Sequence, residues 1–184
     1  MAEMMIPVGY MYKNIVSKPD WIKVENVDDI YSVSGCTSNQ FSDFINYWKH
    51  NGYWFFNSPS IMREIAEENT IDISNSTLFY YEVFEFEFDE TTKEWLSFNP
   101  EDFETNIEHP STKVLVGFDV VTFSVHTSPE CSPLSCNYLA KDISVNSHCL
   151  FSSFIEAKEA LENGFFDNSE CGPFRIFSVY KVEQ

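Results

Sequence analysis

"FYYEVFEFEFDE", Phe79 to Glu90, alternates aromatic and acidic side chains along most of its length. Successive side chains of a strand point to opposite faces. Phe84, Phe86 and Phe88 are therefore expected on one side, and Glu85, Glu87 and Asp89 on the other. One face packs and one is solvated, the signature of an antiparallel sheet rather than a doubly covered parallel one. Working outward, "GYWFFN", "EWLSF", "KVLVGFDVVTFSV" and "PFRIFSVYKV" are also dense in aromatic and β-branched residues and read as strands. "DETTK", Asp89 to Lys93, is a polar connection of hairpin length.

Three helices are expected around these strands. In "SNQFSDFINYWKHNG", Phe41, Phe44, Ile45 and Trp48 fall on one helical face, with Ser38 or Asn39 as cap and Asn51-Gly52 as the stop. The second begins at Ser58-Pro59 and turns Ile61, Met62, Ile65 and Ala66 inward. In the third, Ser153 and Glu156 form a capping box, Phe154, Ala157 and Leu161 face the core, and Asn163-Gly164 ends the helix. Together these predict an α+β domain: a mainly antiparallel meander with about three helices packed on one of its faces. No repeat, low-complexity tract or Pro/Gly linker divides the chain, so residues 1–184 read as a single domain.

The charge is the outlying property. Twenty-nine acids stand against eleven bases, a net charge of −18, and 43% of the chain is hydrophobic. That aromatic content is enough to fold. Direct contact with nucleic acid or an anionic membrane is disfavoured, because both require a basic footprint; a basic protein partner is favoured. From Glu82 to Glu108 there are ten acids and one base, Lys93, a net of −9. Such a field steers a cationic protein into encounter. The expected contact surface comprises Glu82, Glu85, Glu87, Asp89, Glu90, Glu101, Asp102 and Glu104, with Trp95 as its rim aromatic. Tyr47, Trp48, Tyr53 and Trp54 coincide with apolar positions and read as core. The same acids also read as a solvated face that protects a sheet edge from aggregation.

The N-terminus lacks a signal peptide's basic and apolar regions, and no run of about 18 apolar residues occurs, so the chain is expected in the cytoplasm. Five cysteines, an odd number, read there as reduced thiols. No cofactor-binding motif is present. The alternative to a binding protein is a Cys/His-dependent enzyme or metal-binding protein built on "CSPLSCNYLAKDISVNSHC", Cys131 to Cys149. Cys131 or Cys136 would be its nucleophile and His126 or His148 its base; Cys131, Cys136, His148 and Cys149 would be its ligands. The spacing of these residues does not match a zinc ribbon or knuckle, and negative surroundings raise a thiol's pKa.

The stretches "INYWKHNGYWFFNSP" and "GFDVVTFSVHTSPECSPLSCN" resemble those of small uncharacterised bacterial proteins, and the size and acidity of the chain are similar to those of immunity proteins. That second likeness implies an inhibitor that neutralises a basic toxin, such as a nuclease, by covering its cationic site.

Overall fold

The computed structural model describes residues 4–35, 41, 55–98, 106–124 and 129–183. The helix expected over Ser38–Gly52 lies almost wholly outside them, as do Tyr47, Trp48, Tyr53 and Trp54. A six-stranded, mainly antiparallel sheet forms the frame. Its strands are β1 (Met5–Lys13), β4 (Thr77–Phe84), β5 (Phe86–Asp89), β6 (Glu94–Ser97), β7 (Lys113–Thr122) and β8 (Phe174–Val182). A separate two-stranded pair is made by β2 (Val16–Ser17) and β3 (Asp29–Ile30). The helices are α1 (Pro59–Asn69), the single turn α2 (Pro133–Cys136) and α3 (Phe154–Glu162).

The strands do not form a sequential meander. β8, later in sequence than all its partners, sits at the centre, bordered along one edge by β7 and along the other by β4 and then β5. β1 flanks β4, and β6 flanks β5. The sheet is also covered on both faces along its centre. Phe174 and Ile176 join an apolar cluster with α3, while Phe177 and Val179 join the cluster that contains α1. Six consecutive residues of β8, Phe174 to Ser178 and Val179, are buried, as a near-continuous apolar run requires.

The run that opened the sequence reading divides at Glu85. Val83 pairs with Phe177 and Phe88 with Phe174, so β4–β5 carries two residues more than the facing stretch of β8 and must bulge. Arg175, fully buried opposite this bulge, donates from Nη2 to the Phe84 carbonyl at 3.0 Å. Its guanidinium lies 3.6 Å from the centre of the Phe98 ring and 5.4 Å from that of Phe123, a cation–π setting that compensates a desolvated charge. Both helix readings within the described residues match the observed elements. In α3 the Ser153–Glu156 capping box is formed, and Phe154, Ala157, Ala160 and Leu161 face inward. α1 buries Met62, Ile65 and Ala66; Ser58 precedes it in extended conformation without a side-chain cap bond.

A second bulge, in β7 between Leu115 and Gly117, seats the long connection that follows the strand. Gly117 has φ +148°, and a Cβ there would lie 2.8 Å from both Leu150 Cβ and the Phe151 carbonyl oxygen. The missing side chain lets Phe118 and Phe151 exchange backbone hydrogen bonds at 2.9 Å.

Candidate partner-binding surface

The β5–β6 hairpin closes through a turn built on Asp89. Its Oδ1 accepts the backbone N–H of Thr91 at 2.8 Å and of Thr92 at 3.0 Å. These bonds, with Thr92 the stronger influence, hold the Asp89 carboxyl below the usual carboxylate range. Lys93 turns back at φ 59°, its N–H donating to the Asp89 carbonyl. Across the ladder Asp89 stands directly opposite Glu94, a like-charge pair that costs stability unless another charge compensates it.

That compensation does not come from Lys93. Its ammonium pairs with Asp167, in the connection after α3. Glu90 also points to this connection, where its Oε1 accepts the Gly172 N–H at 2.9 Å. Trp95 completes the link. Its indole N–H donates to Glu162 Oε1 at 2.9 Å, and its ring packs against Phe84 and Phe88 with centroids 5.4 and 5.1 Å away. Lys158 hydrogen-bonds Glu162 and, with a smaller contribution from the Trp95 indole, holds its carboxyl low.

Through Lys93, Glu90 and Trp95 the structure therefore joins the hairpin to α3 and its following segment, at Asp167, Gly172 and Glu162. These two acids were not among the sequence candidates. They lie about 70 residues downstream, and only the pairing of β5 with β8 brings them alongside, so a count of charge along the chain gives no sign of them. Glu82 belongs elsewhere. It shares the parity of Phe84, on the face opposite Glu85 and Glu87, and its carboxylate takes Lys113 Nζ at 2.5 Å and the Tyr180 hydroxyl at 3.1 Å. Glu85 and Glu87 lie within the bulged stretch, both half-buried. Glu101, Asp102 and Glu104 lie outside the described residues.

Six of the ten described basic residues are already engaged within the chain. Lys13 and Arg175 are buried in the interior. Lys93, Lys113, Lys141 and Lys158 each pair with an acid of the same chain.

The buried Lys13 belongs to a polar tie beneath the sheet. Its Nζ donates to the carbonyls of Ser32 and Ser34 at 2.7 and 2.9 Å. Asp119, fully buried, accepts from the Val33 N–H at 2.8 Å and the Ser132 hydroxyl at 2.6 Å. Burial pushes the Asp119 carboxyl up to about 6, against the opposing pull of these hydrogen bonds and of Lys13. The arrangement fastens residues 32–34 and 132 to β1 and β7, and nothing about it is open to solvent.

The cysteines of the Cys131–Cys149 segment differ in exposure. Cys131 and Cys149 are buried, while Cys136 and Cys171 are exposed. Burial first, then the charges of Asp119 and Cys136, pushes the Cys149 thiol up to about 12, and a thiol so protonated is a poor nucleophile. His148 faces Asp29 instead, with Nδ1 2.6 Å from its carboxylate, and stacks on Tyr31 at 4.0 Å. His126 is outside the described residues. Among the described residues no three His, Cys, Asp or Glu side chains converge on a point where a metal ion would sit.

Fold and surface together define an α+β protein whose acidic hairpin is docked on an acidic helix. Comparison with protein-family models, with curated proteins and with solved structures gives no match to this chain. Among the described residues no helix is long and apolar enough to cross a membrane.

Proposed function

We propose that this chain is a binding protein that masks a basic protein partner, acting as an inhibitor of the immunity-protein type toward a nuclease-like toxin or another nucleic-acid-acting protein in a bacterial cytoplasm. The observation that carries this reading is the junction of the β5–β6 hairpin with α3. There the hairpin that carries Asp89, Glu90 and Glu94 docks beside Glu162 and Asp167, and Lys93 and Lys158 are already paired. The remaining negative charge is available to Lys and Arg that would otherwise grip phosphate. Glu85, Glu87, Glu101, Asp102 and Glu104 extend the same proposed surface, and no cofactor takes part.

The test is affinity capture from host extract with the wild-type chain and with a Glu85→Gln, Glu94→Gln, Glu101→Gln variant, at low and at high salt. A strongly basic protein retained by the wild type, lost from the variant and associating more slowly as salt rises supports the proposal. Partners that are not basic, or that the variant retains equally, refute it.

A further inference from the structure

On the flank of α3 away from Trp95 lies a groove of about 230 Å³, walled by α3 and by residues 142–144. Its interior is mostly apolar: Ile143, Phe151 and Ala160 form it, and Phe165 stands half-exposed at one end. Asp142, Glu156 and Glu159 rim it, and none of its lining residues is basic. Glu156 uses Oε2 to accept the N–H groups of Ser152 and Ser153 at 3.0 and 3.1 Å, leaving Oε1 for an external donor. Glu159 is exposed, and its carboxylate makes no hydrogen bond or ion pair with the described residues. Among the described residues the Asp142 carboxylate meets the exposed Lys141, at 3.7 Å.

We propose that this groove receives an arginine side chain of a protein partner. The volume is below the roughly 300 Å³ at which drug-sized ligand sites begin, so it suits one long side chain. An apolar interior with a carboxylate rim calls for an aliphatic stem ending in a cation. A planar guanidinium answers both the half-exposed Phe165 ring and a carboxylate fork better than an ammonium does. The proposal deepens the masking function by naming a side chain for the α3 part of the surface, and it rests on that reading for its biological partner.

The probe is Nα-acetyl-arginine methylamide, titrated into the isotopically labelled protein, with backbone amide shifts as the readout. Saturable shifts are expected at Ser144, Ala160 and Phe165. The norleucine analogue, which has the stem without the charge, and the Asp142→Asn, Glu159→Gln variant should each bind about fivefold more weakly, the loss a part-exposed ion pair gives. Filling the groove by Asn163→Trp, or by Ser144→Trp should the first variant lose its dispersed spectrum, should abolish the shifts. Absent shifts, equal binding of the norleucine analogue, or shifts that survive the filled groove would overturn the proposal. Because the probe is a single residue, its failure leaves the masking of a basic partner standing, and failure to capture such a partner leaves the groove's preference measurable.

Discussion

Replacing Asp119 by asparagine should change how stability depends on pH. The Asp119 carboxyl is fully buried and titrates at about 6 instead of 3.8, because desolvation outweighs the hydrogen bonds from Ser132 and Val33 and the attraction of Lys13. A carboxyl whose folded pKa is raised binds its proton more tightly in the folded than in the unfolded chain. Its stabilising contribution is thus complete below 3.8 and is lost as pH rises through about 6. The interval corresponds to about 3 kcal/mol. Tyr81 and Cys149, which also feel the Asp119 charge, are both pushed upward and stay neutral across this window. Asparagine matches the shape, accepting from the Val33 N–H through Oδ1 and donating from Nδ2 to the Ser132 oxygen. It does not titrate. Urea unfolding at closely spaced pH values should therefore show wild-type stability falling relative to Asp119→Asn by about 2 kcal/mol between pH 4 and pH 7, at constant m-value. Asp89→Asn is the control of opposite sign, since the Asp89 carboxyl is held low and its contribution disappears as pH falls. A wild-type minus Asp119→Asn difference that stays flat across this range, or that grows with pH, would refute the reasoning.

Three further outcomes follow from other parts of the fold. Arg175→Met removes the donor to the Phe84 carbonyl inside a buried bulge and should cost about 1–3 kcal/mol in chemical unfolding; unchanged stability would mean that the guanidinium does not support the bulge. Gly117→Ala puts a methyl group 2.8 Å from backbone and side-chain atoms at φ +148° and should destabilise by about 1–3 kcal/mol, whereas a wild-type melting temperature would show that β7 yields there freely. In a Cys36→Ser background a thiol reagent should label Cys136 and Cys171 in the native protein and reach Cys131 and Cys149 only on unfolding; rapid native labelling of Cys149 would contradict its burial.

The parts of the fold that local chemistry dictates were legible in the sequence. Alternation announced β4–β5, and Ser153 with Glu156 fixed the start of α3. β1 was missed because Pro7 and Gly9 look like punctuation. Yet the strand pairs with β4 and, through Tyr10, with Phe56, and it absorbs both residues in a shift of register between them. Proline is tolerated at such a position. The central place of β8 was hidden for another reason: its sequence resembles those of its neighbours, and pairing order is a property of the whole sheet. The burial of Lys13, Asp119 and Arg175 left no mark in the sequence, because a strand's sequence does not tell which of its faces a loop will cover. On the proposed surface, the parity of Glu82 with Phe84 was readable along the strand, whereas the approach of α3 to Trp95 depends on residues far downstream.

β8 also sets the timetable of assembly. Tyr80 meets its neighbour Tyr180 only after a hundred further residues have been made, so during synthesis β4, β5 and β7 emerge with their inner edges unclaimed. Contacts of this range slow folding and expose sticky strand edges in the meantime. The acids of the nascent hairpin repel other copies of the same unfinished chain and so guard those edges on the ribosome.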